Sequence, residues 1–123
     1  LVGEGAYKNN KQIKVSEGNH FSDAVLCTGF PVNYSYSRNN IIKFAENVQK
    51  YKKIRLFGSA AMSLSLLADG KVDAYTEDNI MIWDVAAGIA IVKAAGGNVR
   101  FTKGEAKNSL FVSATNGSLP ISK

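Results

Sequence analysis

The hydrophobic positions of this chain change period several times, and each change marks an element. From Gln12 to Ser16 polar and apolar residues alternate, with Ile13 and Val15 on one side, as in a half-buried strand. Ala24 to Thr28 is an apolar run closed by Gly29-Phe30-Pro31, the pattern of a buried strand. Between Asn40 and Tyr51 the apolar residues Ile41, Phe44, Ala45 and Val48 recur at three- and four-residue spacing, which predicts an amphipathic helix. Ile54 to Phe57 reads as a strand. Gly58-Ser59 then turns the chain into a helix from Ala60 to about Ala68, and Asp69-Gly70 stops it, Gly70 suiting the left-handed position that closes many helices. Val72 to Tyr75, Asn98 to Phe101 and Leu110 to Ser113 read as further strands. The helix expected from Asp84 to Ala95 is apolar nearly all round, which predicts burial on more than one side. Leu1 to Asn10 reads as a strand end and turn with Gly3, Gly5 and Asn9-Asn10 as breakers. Glu17 to His20 reads as a loop, Asn33 to Asn39 as a loop or helix entry, and the tail from Asn116 is expected to be loose.

Strands and helices therefore alternate through the middle of the chain. That order favours a three-layer α/β/α sandwich around a mixed, largely parallel sheet. The 123 residues suffice for one domain and not for two.

Composition adds little to this picture except through charge. A hydrophobic fraction of 46% and a charged fraction of 20% are those of an ordinary globular protein. The net charge of +5 suits anionic ligands. Apart from Lys50-Tyr51-Lys52-Lys53-x-Arg55 the basic residues are scattered, so that run reads as a solvated face rather than a nucleic-acid surface. The single cysteine excludes an intramolecular disulfide and fits a reducing, cytoplasmic setting. Within Ala24-Val25-Leu26-Cys27 it reads as a small core residue. No apolar run reaches the ~18 residues a membrane span needs, and no signal peptide is visible. The chain opens at Leu1 inside a turn-rich pattern. The expectation is a truncation, a proteolytic product or one piece of a split protein.

Candidate chemistry gathers in Glu77-Asp78-Asn79-Ile80-Met81-Ile82-Trp83-Asp84-Val85-Ala86-Ala87-Gly88. Asp84 stands at the mouth of the apolar helix, where an aspartate can serve as N-cap, as ligand to a hard cation such as Mg²⁺, or as both. Glu77 lies seven positions upstream, either a solvated acid at a strand end or part of a pocket. The four large apolar residues between the two acids suggest buried surroundings. Gly58-Ser59-Ala60-Ala61 is either an ordinary strand-to-helix turn or a turn that borders a ligand, since free N–H groups at a helix start favour anions. Gly29 and Phe30 form a turn that could edge a pocket. His20, the only histidine, reads as solvent-exposed, and no Ser/His/Asp order, phosphate-binding loop or zinc spacing is present.

Trp83-Asp84-Val85-Ala86-Ala87-Gly88 closely resembles the Trp-Asp-x-Ala-Ala-Gly signature of the inositol monophosphatase superfamily. The turn Gly58-Ser59-Ala60-Ala61 and the segment from Gly3 to Ser16 resemble family segments in the same order, with Asn10 where glycine is commoner. The resemblance runs collinearly from Gly3 to about Asn116 and covers the C-terminal half of such proteins. It implies Asp84 as a Mg²⁺ ligand, and Glu77 as a contact to a substrate hydroxyl. It further implies Gly58, Ser59 and Ala60 as substrate neighbours, with Gly29 and Phe30 at the pocket edge. It implies a Mg²⁺-dependent phosphomonoesterase that forms homodimers. The substrate would be inositol phosphate by default, or histidinol phosphate, fructose bisphosphate or a 3′-phosphonucleotide. The family's other acidic motifs belong to an N-terminal half, and neither an Asp-Pro nor a Glu-Glu pair occurs here. The expectation is a half-site, inactive alone, that pairs with a separate N-terminal half through an apolar face. The alternative is a binding or interaction module that kept the fold and lost catalysis.

Overall fold

The computed structural model describes residues 5–30 and 35–121. Gly3, Glu4, Pro31 and Asn33, each part of a sequence reading above, lie outside the described residues. The chain opens with a hairpin of β1 (Ala6–Lys8) and β2 (Lys11–Ile13), paired antiparallel. Its two-residue loop places Asn9 at φ 51° and Asn10 at φ 67°. Both are left-handed, the geometry that matches the twist of a tight hairpin, and asparagine tolerates it better than most residues.

Five strands form the main sheet: β3 (Val25–Thr28), β4 (Lys53–Arg55), β5 (Ala74–Met81), β6 (Asn98–Lys103) and β7 (Ser109–Thr115). Their spatial order is β4-β3-β5-β7-β6. β3 runs parallel to both β4 and β5, while β7 runs antiparallel to β5 and β6. Helix α1 (Arg38–Val48) connects β3 to β4, and α2 (Ala60–Ala68) connects β4 to β5. The chain moves outward from β3 to β4 and back across β3 to β5. Right-handed crossovers in opposite directions put α1 and α2 on opposite faces of the sheet. Helix α3 (Ile82–Ala94) follows β5 and packs against α2. The result is the three-layer α/β/α sandwich expected.

The core lies on the α2–α3 face. Cys27, Tyr75, Val112 and Ala114 of the sheet meet Leu64, Leu67, Val85, Ile89 and Val92 of the helices. The buried residues of α3 (Val85, Gly88, Ile89, Val92) fall at helical spacing on one side only. This corrects the expectation of burial on more than one side, because Ile82, Trp83 and Ile91 are exposed. The four apolar residues between Glu77 and Asp84 are likewise not a buried setting, Trp83 being 66% exposed. The strand expected at Val72–Tyr75 begins at Ala74 and continues to Met81. Pairing with β7 at Glu77 and again from Ile80 carries the strand across Asp78 and Asn79, which have no ladder partner, despite the weak strand preference of all three. The tail is not loose at Asn116. That side chain donates to Ser16 Oγ and Gly18 O, accepts from Ser118 and Leu119 N–H, and is buried with Leu119.

Gly88 sets the distance between α2 and α3. A β-carbon there would stand 2.5 Å from Leu64 Cδ1 and 2.7 Å from Leu64 Cβ. Glycine inside a helix costs about 1 kcal/mol relative to alanine. Overpacking a core costs about 1–3 kcal/mol, so the clash should outweigh the propensity gain. Gly88→Ala is expected to lower stability in a denaturant titration. In a Leu64→Ala background the same substitution should cost less, because the Cδ1 contact is gone, but it should still be destabilising, because alanine keeps the β-carbon 2.7 Å away.

Candidate functional site

Parallel strands place the helices that follow them at one edge of a sheet. β3, β4 and β5 all end at the same edge, and ligands of α/β folds bind in the crevice outside such strand ends. Gly29 and Phe30 follow β3, Gly58 and Ser59 follow β4, and Glu77 lies midway along β5, one residue past the last pairing of that strand with β3. The sequence candidates therefore share one side of the molecule.

Glu77, Gly29 and Phe30 line one cleft of about 580 Å³, opposite Lys43 and Phe44 of α1. Thr28 and Thr76 form its floor, with the Thr28 hydroxyl donating to Thr76 O at 2.6 Å. Phe30 and Phe44 pack with ring centroids 4.7 Å apart. Gly29 and Phe30, expected at a pocket edge, thus lie on the lining of this cleft, beside Glu77.

Glu77 is the last residue before a bulge. It pairs with Val112, whereas Ile80 pairs with Leu110, so β5 carries one extra residue there. Asn79 takes up the bulge at φ 50°, its Oδ1 accepting from Glu105 N–H and Ser109 Oγ–H. The Glu77 carboxylate accepts a hydrogen bond from the Tyr75 hydroxyl at 3.0 Å. Burial raises the Glu77 pKa from the ordinary glutamate range. The Tyr75 hydrogen bond opposes this, and the negative charge of Asp84 adds to the rise.

Asp84 is not the N-cap of its helix. Met81 holds that position without a side-chain bond, and Asp84 sits in the first turn. The strand runs directly into the helix, and the Ile82 N–H is satisfied by Asn108 O at 2.9 Å. Asp84 is exposed, and a negative charge there suits the positive end of the helix dipole.

Gly58 adopts φ +71° and turns the chain out of β4. Ser59 caps α2, its Oγ accepting from Met62 N–H at 3.1 Å, and Ala60 is buried at the first position of the helix. None of these three lines the Glu77 cleft, and neither does Asp84. Cys27 is fully buried, and burial pushes its thiol up to about 11, so it remains a core residue. His20 is exposed. Tyr75 was missed among the candidates. Two residues apart on a strand share a face, so Tyr75-x-Glu77 carried the signal.

A hard cation such as Mg²⁺ is held by about six oxygen ligands. Among the described residues no three His, Cys, Asp or Glu side chains come together as a potential metal site. The acids among the described residues do not by themselves make such a site.

An α/β sandwich with its candidate chemistry gathered at the carboxyl edge of a mixed sheet is the class these observations define. The chain belongs to the inositol monophosphatase family, whose model matches residues 1–120. It is 37% identical over 108 residues to a fructose-1,6-bisphosphatase/inositol-1-monophosphatase of Thermotoga maritima, covering 87% of this chain and 40% of that protein. It is 39% identical over 100 residues to Nus factor SuhB of Pasteurella multocida, covering 79% and 37%. The solved structure of inositol monophosphatase from Anabaena (Nostoc) matches with a TM-score of 0.81 at 36% identity. That match covers 95% of this chain and 49% of the other. The chain thus spans about two fifths of the length of the curated relatives it matches.

The raised Glu77 pKa has a consequence for stability. The folded state holds the Glu77 proton more tightly than the unfolded chain does. Stability contributed by the protonated form is therefore present at low pH and is lost as pH rises from the ordinary glutamate value of about 4.3 through the folded value. Glu77→Gln should gain melting temperature relative to the native chain across that rise. Parallel thermal melts from acid to neutral pH check this, and a constant difference would contradict it.

Proposed function

We propose that this chain forms the C-terminal part of a Mg²⁺-dependent phosphomonoesterase acting on a small polyol phosphate, inositol monophosphate by default. The observation that carries the reading is the pair of acids at the carboxyl edge, Glu77 half-buried in a cleft and Asp84 close enough to raise its pKa. Asp84 supplies one carboxylate to the cation site. Glu77 accepts a hydrogen bond from a substrate hydroxyl, while Gly58, Ser59 and Ala60 form a neighbouring wall. Bound Mg²⁺ in such a site supplies Lewis-acid stabilisation of phosphoryl oxygens and an activated water.

On this reading the remaining carboxylates come from polypeptide outside these 123 residues, an N-terminal half. The groove lined by Ile82, Ala86, Ala90, Phe101 and Leu110 is the surface offered to it. Contiguous exposed apolar area of this kind marks interaction sites, and the relatives are more than twice as long as the matched segment. The name of the Thermotoga relative supports a sugar bisphosphate as a second substrate class. The Pasteurella relative, named for a Nus-factor role, supports a different reading, an interaction module independent of catalysis.

Phosphate release from inositol 1-phosphate distinguishes these readings. The chain alone should release none. Mixed with the N-terminal half of the Thermotoga relative, it should show Mg²⁺-dependent release. Asp84→Asn should reduce that release by more than about 100-fold, beyond the usual loss for an outer-shell partner. Release by the chain alone would overturn the half-site reading, and no release from the mixture would favour the interaction module.

A further inference from the structure

Two features converge on the Glu77 carboxylate from different strands. On β5, Tyr75 is 1% exposed, and its hydroxyl donates to Glu77 Oε1 at 3.0 Å. On the other side, Gly29 follows β3. A β-carbon there would stand 2.9 Å from the same Oε1, 3.2 Å from Cδ and 3.4 Å from Oε2. Gly29 does not lie in the left-handed region, so its backbone does not require glycine and the clearance does. The described residues offer no hydrogen bond to Oε2, and Glu77 lines the cleft.

A glutamate carboxyl group rotates broadly about its last torsion, so an unanchored one presents its oxygens in many directions. A buried phenol tied to one oxygen removes that freedom. Burial first, and then the charge of Glu77, hold the Tyr75 hydroxyl far above the ordinary tyrosine range, so it stays a donor throughout the neutral range. Asp84 of α3 and Cys27 of β3 also act on this pair, and Lys43 of α1 lines the same cleft.

We propose that Tyr75 is a positioning residue that fixes the Glu77 carboxylate through Oε1 and leaves Oε2 to accept from a hydroxyl of a polyol phosphate, Gly29 providing the room. The proposal rests on the reading of Glu77 as a substrate contact. It adds that this contact is preorganised from beneath by a residue that never touches substrate.

The test uses Tyr75→Phe, which keeps the ring and removes the donor, and Gly29→Ala, which approaches the carboxylate from the other strand. In the chain itself, the Glu77 carboxyl carbon is titrated by NMR. Loss of a hydrogen bond to the charged form should raise its midpoint in Tyr75→Phe by about one to two pH units, a roughly ten- to hundredfold change in proton affinity. An unchanged midpoint overturns the proposal. In the Mg²⁺-dependent mixture, Tyr75→Phe and Gly29→Ala should each raise KM for inositol 1-phosphate about tenfold while kcat changes far less. Tyr75→Phe should add no further cost in a Glu77→Gln background. A cost that persists there would show a structural role only and overturn the proposal. A KM unmoved by Glu77→Gln would overturn the substrate-contact reading, and with it the proposed purpose of the pair, even where the NMR shift is observed.

Discussion

Strand β5 has partners along both edges, parallel to β3 on one side and antiparallel to β7 on the other. Backbone N–H and C=O groups in such a central strand must be paired, because leaving them buried without partners costs more than a hydrogen bond contributes. The pairing decides how far Glu77 can be carried from the core before the strand breaks register. The β5–β7 ladder breaks register between Glu77 and Ile80, where Asn79 absorbs one extra residue. β3 pairs with the inner half of this strand, and α2 and α3 both pack against it. The hairpin of β1 and β2 and the stretch after it lie against the same core through Ile13 and Val15.

A consequence follows for the electrostatics of the site. The strand that delivers Glu77 also delivers Tyr75 to the same face, and burial of Tyr75 is what makes its hydroxyl available to the carboxylate rather than to water. Burial raises the Glu77 pKa, and the hydrogen bond lowers it again in part. The two effects share one cause, the depth of β5 in the sheet, so they cannot be tuned independently by the strand. Asp84 enters from a separate element, in the first turn of α3, and its like charge works against ionisation of Glu77.

The architecture was legible because period and punctuation agreed. The helix from Ala60 to Ala68 begins and ends as the sequence indicates, with Ser59 capping it and Gly70 at φ +76° beyond its end. Elements shaped by tertiary pairing were less legible. Glu77, Asp78 and Asn79 carry no strand signal of their own; the ladder with β7 holds Glu77 and resumes at Ile80, and the two residues between form the bulge. Asp84 looked like a cap because aspartate before an apolar run usually is one, yet the helix starts two residues earlier, where the strand feeds into it without a loop. Asn116 looked like the start of a tail because its partners at Ser16 and Gly18 are distant in sequence. The grouping of Glu77 with Gly29 and Phe30 rests on β3 and β5 being neighbours, which hydrophobic periodicity alone does not encode.

Helix α3 links the acidic edge to the exposed apolar surface. Its inner face needs Gly88 so that α2 can approach, and its outer face carries Ile82, Trp83 and Ile91. Asp84 stands in the same first turn as Ile82 and Trp83, and all three are exposed. Any polypeptide that covers Ile82 and Trp83 would therefore also take water from around Asp84. A carboxylate losing water becomes more costly as a charge unless a cation or donor arrives with the covering surface. On the proposed reading, assembly and cation binding are then coupled through one turn of helix. The surface that buries the apolar face must bring the ligands that compensate Asp84, and a surface that buried Asp84 without them would bind weakly.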